Sequence, residues 1–211
     1  MSKQTVNIGS SANDGTGSPI RTAFEICNDN FTELYSSGTT ALAFKIEGTG
    51  FTGSLIVGHS TTGSLDNAYY NTALGIGAMD AISSGDYNIA IGYNAATALT
   101  SGGHNILIGG YAGVALTTGA DNVAIGRSAL GSEDEHGKNV AIGYIALNAL
   151  NAGADAYNVA VGHEAGKSVT TGTYNTLIGG FAGDSLTTGA YNIAIGSNAL
   201  STEDAHGKNI A

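Results

Sequence analysis

The chain is short of charge. Only 11% of its 211 residues are Asp, Glu, Lys or Arg, about half the share of an ordinary soluble domain. Basic residues are the scarcer sign, seven against seventeen acidic ones, for a net charge of −10. With no clustered Lys or Arg, nucleic acid is a poor partner for such a surface. A single cysteine, Cys27, excludes an intrachain disulfide framework. Tryptophan is absent and proline occurs once, at Pro19. The opening "MSKQTVNIGSS" has no apolar core of the kind a secretion signal needs. No apolar run approaches the ~20 residues of a membrane-spanning helix. The expectation is a chain made in a cytoplasm and not inserted in a membrane.

Glycine is plentiful, with 33 residues set among Ala, Asn, Thr and Ser. The apolar fraction of 42% is too high for disorder driven by weak hydrophobicity. No collagen-like triplet organises the glycines. They mark a longer repeat: Gly58, Gly75, Gly92, Gly109, Gly126, Gly143, Gly162, Gly179 and Gly196 follow at 17 residues, with one step of 19 between Gly143 and Gly162. Four residues before each stands Asn71, Asn88, Asn105, Asn122, Asn139, Asn158, Asn175 or Asn192, with Ser54 in the first copy; Asn209 opens a further one. Three residues after each stands Ala78, Ala95, Ala112, Ala129, Ala146, Ala165, Ala182 or Ala199, with Thr61 in the first copy. Three positions held in phase over nine copies mark a repeat architecture.

Each unit reads as a short strand, a corner, a second short extended piece and a turn. In "NIAIG", Ile89 and Ile91 face one way and Ala90 the other, at the period of a strand. The glycine marks the corner. A second apolar position follows at Ile82, Leu99, Leu116, Leu150, Val169 and Leu186, and then turns such as "TSG" and "TTG". Seventeen residues are too few to fold alone but enough for one coil of a stack. The fold class expected is all-β, a parallel β-solenoid or β-roll whose backbone groups pair with the coils above and below. At ~4.8 Å per coil, nine coils make a rod on the order of 40 Å long. The asparagines should form a hydrogen-bonded ladder at a left-handed corner. The alanine faces should invite close packing of neighbouring chains. A longer period is superposed: "NILIGGYAG" returns as "NTLIGGFAG" and "EDEHGKN" as "EDAHGKN", each 70 residues later.

The N-terminus differs. Ser18 can cap a helix and Pro19 suits its first position. Ile20, Phe24, Cys27, Phe31 and Leu34 follow at spacings of 4, 3, 4 and 3, a seam of about two heptads. Two heptads are marginal alone, so the helix over 19–35 either folds onto its own "TVNIG" segment or joins a parallel bundle. The organisation expected is an attachment segment over 1–35, a linker over 36–53 and a repeat shaft over 54–211. Asn209, Ile210 and Ala211 start a tenth coil and stop inside its strand, so the natural chain is expected to continue.

The residues "NIG", "ANDGTG", "PIRTAF" and "NFTELY" within Thr5–Tyr35 resemble the N-terminal attachment segments of tailed-phage fibre and baseplate-associated proteins. Ser18 replaces the acid and Ile20 the leucine usual there. The repeats from Ser54 to Ala211 resemble the arrays of phage tail fibres and the heads of trimeric autotransporter adhesins. These resemblances imply a homotrimer that docks by its N-terminus on phage tail, baseplate or neck proteins, with Ile20, Phe24, Cys27, Phe31 and Leu34 as docking or trimer seam. A distal region would meet a host-surface receptor. The protein would reside in the virion, after synthesis in the host cytoplasm.

Little chemistry is written into the chain. His59, His104, His136, His163 and His206 form no H-x-H or H-E-x-x-H. Glu133, Asp134, Glu135, Glu203 and Asp204 fall in turns, where a charge run is usually a solvated face. Calcium at these turns is a minor alternative, without EF-hand spacing. No carboxylate pair is set across a cleft as in a glycosidase. The expectation is a structural fibre with no catalytic residue, metal or cofactor. The alternatives are a cellular trimeric adhesin, a spike depolymerase, or an ice-binding solenoid on the columns Thr117–Thr118, Thr170–Thr171 and Thr187–Thr188.

Overall fold

The computed structural model describes the strands Phe44–Gly48 and Phe51–Val57, and residues 67–202 and 204–211. The chain divides after Ala43, and the coil stack belongs to the unit Phe44–Ala211. The helix expected over 19–35 and its seam residues Ile20, Phe24, Cys27, Phe31 and Leu34 lie outside the described residues, as do Gly58, His59, Thr61 and Glu203.

Among the described residues, ten strands form one sheet in chain order. Strands β1 (Phe44–Gly48) and β2 (Phe51–Val57) pair antiparallel, so part of the stretch read as a linker belongs to the sheet. All later pairings are parallel, through β3 (Thr72–Leu74), β4 (Ile89–Ile91), β5 (Ile106–Ile108), β6 (Val123–Ile125), β7 (Val140–Ile142), β8 (Val159–Val161), β9 (Thr176–Ile178) and β10 (Ile193–Ile195). The register is that of the repeat: Ile89, Ala90 and Ile91 stand over Ile106, Leu107 and Ile108. The architecture is a parallel β-solenoid with eight corner glycines among the described residues. Parallel pairing in a meander is possible because each coil is itself the crossover connection.

Each coil carries one three-residue strand. The second extended piece is not a strand, because left-handed residues recur there at every other position. In the coil of Gly92 these are Gly92 (φ 135°), Asn94 (52°) and Ala96 (52°). Successive amides then point in alternate directions along the stack. Asn94 donates to the Ile76 carbonyl of the coil before, and Ala96 to the Ala112 carbonyl of the coil after, both at 2.9 Å. Reverse-turn bonds, such as Leu99 N to Ala96 O at 3.0 Å, round the bend. The chain thus curls within 17 residues while most of its backbone remains paired.

The interior is small. The strand-centre alanines Ala73, Ala90, Ala124, Ala141, Ala160 and Ala194 are fully buried. This reverses the expectation that alanine faces would meet neighbouring chains. The strand-centre position faces the interior, where Ile56 also lies in β2, so the branched residues flanking each alanine face out. The buried column seven positions after the corner holds Ile82, Leu99, Leu116, Leu150, Val169 and Leu186.

Interior sizes compensate. Two strand centres are Leu, at Leu107 and Leu177, and both coils carry glycine four residues past the corner, at Gly113 and Gly183. A Cβ on Gly113 would lie 2.9 Å from Leu107 Cδ2, and one on Gly183 would lie 2.8 Å from Leu177 Cδ2. Coils with alanine centres at Ala124 and Ala141 place Leu130 and Leu147 at that same fourth position. The 70-residue duplication is therefore also a duplication of packing.

Candidate functional site

The repeat's most regular residues are architectural. Asn71, Asn88, Asn105, Asn122, Asn139, Asn158, Asn175 and Asn192 are fully buried. Asn105 shows the pattern: its backbone amide and its Nδ2 both donate to Asn88 Oδ1 at 3.0 Å, and Nδ2 also donates to the Gly119 carbonyl at 2.9 Å. Its own Oδ1 accepts the Asn122 amide at 3.0 Å. The ladder expected from the sequence is present. The left-handed position, however, is the residue before each asparagine, such as Tyr87 (φ 58°) or Lys138 (65°).

Corner glycines Gly75, Gly92, Gly109, Gly126, Gly143, Gly162, Gly179 and Gly196 have φ between 132° and 146°. A Cβ at Gly126 would run into the carbonyl of Gly143 in the next coil. Both the torsion and the close approach require glycine.

Aromatic residues at the left-handed position stack up the outside. Tyr70, Tyr87 and His104 follow at centroid distances of 4.8 and 4.9 Å, and Tyr157, Tyr174 and Tyr191 at 5.1 and 5.0 Å. Ring faces within these stacks are occupied by one another, which leaves their edges outward. His163 is packed in the same way on Tyr144, at 5.0 Å. The threonine columns are likewise engaged: Thr117 Oγ1 donates to the Asp134 carbonyl at 2.8 Å and Thr170 Oγ1 to the Thr187 carbonyl at 3.3 Å.

Two features remain with no architectural partner. One is the outer face of the strands. Leu74, Ile89, Ile106, Ile178, Ile193 and Ile195 are exposed large apolar side chains, Leu74 at 50% and Ile195 at 60%. With the half-buried Ile91, Ile108, Val123, Ile125, Val140, Ile142, Val159 and Val161 they form two adjacent columns in register from coil to coil, one unbroken from Leu74 to Ile195 and the other interrupted by Thr72 and Thr176. A continuous apolar stripe of this kind marks an interaction surface.

The other is the turn Glu133–Lys138, read from the sequence as solvated. Glu135 is exposed and Asp134 half-buried, but Glu133 is fully buried. Burial pushes its carboxyl above the usual carboxylate range, against the smaller opposing effects of the His136 and Ala152 amides. Oε1 accepts the His136 amide at 3.3 Å. Oε2 has no hydrogen-bond partner. The next coil, with two extra residues between Leu150 and Asn158, packs over this turn. Its Asp155 accepts the Gly137 amide at 3.1 Å and Lys138 Nζ at 2.6 Å. That contact holds the Lys138 ammonium above its ordinary value and the Asp155 carboxyl below its own. The two departures from strict periodicity thus lie against each other.

Aligning the coils exposes Glu133 in the sequence. It stands seven residues after Gly126, where seven other coils carry Ile, Leu or Val, from Leu65 to Leu186. No protein-family model matches the chain, and no curated protein or solved structure is significantly similar to it.

Proposed function

We propose that this chain is a structural fibre protein of a tailed-bacteriophage virion, with no enzymatic activity. It docks by residues 1–35 on tail, baseplate or neck proteins. Its coil stack forms a parallel homotrimeric shaft that carries a host-receptor-binding region outward. Three equivalent tips then combine weak contacts into avidity.

The observation that carries this reading is the apolar stripe on the strand face. It repeats at the chain's own coil spacing along the whole described stack. A partner matching it must carry the same period, and a second copy of the chain does. Three copies in parallel bring three such stripes to one axis, with every coil at the level of its equivalents. The attachment reading rests on the resemblance of Thr5–Tyr35 to phage docking segments.

Particles assembled with the Phe24→Asp/Phe31→Asp variant test the docking. The expected particles lack the fibre, while the purified variant keeps the β-sheet circular dichroism of the unaltered chain. Particles with normal fibre numbers would overturn the docking role.

A further inference from the structure

The Glu133–His136 turn carries a chemistry that a purely architectural coil does not need. Glu133 occupies the column that Ile82, Leu99, Leu116, Leu150, Val169 and Leu186 fill with aliphatic side chains. The carboxylate is fully buried, and its Oε2 is unpartnered. His136 Nδ1 is also buried with no hydrogen-bond partner. It stands 3.6 Å from Glu133 Oε1, beyond hydrogen-bond reach. Asp134 supplies a third donor. One ligand atom from each of Glu133, Asp134 and His136 lies within 4.8 Å of the others.

We propose that Glu133, Asp134 and His136 form a binding site for a divalent transition-metal ion of the zinc class, which clips the charged turn shut. An ionised Glu133 leaves a buried charge met only by backbone amides, with no cation beside it and Oε2 without a hydrogen bond, and a protonated one leaves a buried hydroxyl with no acceptor; either state is unfavourable. A cation satisfies Glu133 Oε2 and His136 Nδ1 together. The donor set of two carboxylates and one imidazole selects zinc or its first-row neighbours. Calcium takes oxygen ligands and more of them. Around tetrahedral zinc, ligand atoms about 2.1 Å from the metal sit roughly 3.4 Å from one another. A modest side-chain rotation closes the existing cluster to that spacing, and water completes the shell.

The surrounding backbone is already arranged to hold the turn. Asp134 Oδ1 accepts the Glu135 amide at 2.8 Å, and the Asp134 carbonyl accepts the Thr117 amide at 2.6 Å. Seventy residues on, the sequence repeats the three donors as Glu203, Asp204 and His206. The Asp204 carbonyl accepts the Thr187 amide as Asp134 accepts Thr117. The site is thus written once in each four-coil block.

Calorimetric titration of the metal-free 211-residue chain with zinc chloride tests the site, with Glu133→Leu as the informative variant. Leucine matches the column, so that variant folds, and its metal-free melting temperature equals or exceeds that of the unaltered chain. It retains every histidine, so adventitious binding to surface imidazoles survives in it. The expected result is zinc binding in the micromolar range or tighter, a rise in melting temperature on zinc addition, and one bound equivalent fewer in Glu133→Leu. Calcium should not compete. Equal stoichiometry in the two proteins, no zinc binding at all, or calcium displacing zinc would each overturn the assignment.

Discussion

Leu107 fills the strand centre of its coil, where Ala90 and Ala124 stand in the coils on either side, and Gly113 leaves it the room. This pairing makes a prediction at the scale of two residues. Leu107→Ala alone opens a cavity and should cost about 2–5 kcal/mol. Gly113→Leu alone overpacks the coil and should cost about 1–3 kcal/mol. Together they reproduce the Ala124 and Leu130 arrangement of the next coil along the stack. Leu130 and Leu147 already hold this left-handed position, at φ 52° and 47°, so the backbone admits the change. The double variant should be more stable than the sum of the single losses implies, by about 1 kcal/mol or more. Chemical denaturation of the four proteins measures the coupling, and strict additivity would refute the compensation. Asn105→Ala is a second residue-scale test. It removes the acceptor for the Asn122 amide and the donor to Asn88 Oδ1 and the Gly119 carbonyl. Leaving buried polar groups unpaired should cost about 2–4 kcal/mol, read as a lowered denaturation midpoint. A midpoint unchanged from the parent chain would mean that the ladder adds nothing to stability.

At the scale of the coil, the corner is the critical point. Gly126→Val places a β-branched side chain at φ 134°, against the carbonyl of Gly143. Stacking through that coil should fail, seen as loss of cooperativity in thermal unfolding. A curve superimposable on the parent's would contradict the geometry described. Much of the coil was legible beforehand, because the asparagine and glycine columns are imposed by stacking itself and must repeat with it. The direction of the strand faces was not legible. Alternation of Ile and Ala defines two faces, but it does not say which of them, that of Ala90 or that of Ile89, lines the interior. The left-handed residues past the corner escaped notice for a related reason. Tyr111, Ile145 and Phe181 there have ordinary side chains, and inter-coil hydrogen bonds hold them at a torsion they would not choose alone. Glu133 was hidden differently: a run of acids reads as solvated until it is aligned with the aliphatic column it interrupts.

For the whole molecule, the account turns on what covers the strand face. The single chain leaves Ile89, Ile106, Ile178, Ile193 and Ile195 exposed to solvent. Lysine at outward positions should break association without unfolding the coils. The Ile125→Lys/Ile142→Lys variant is therefore expected to keep its β-sheet circular dichroism and sediment as one chain. Loss of the β signature would instead place these side chains in the interior.

The most direct measurement is sedimentation equilibrium of the unaltered 211-residue chain at micromolar concentration. A parallel homotrimer predicts three times the 21.0 kDa chain mass, independent of loading concentration over that range. A folded species of single-chain mass, with its isoleucine stripe open to water, would contradict the account.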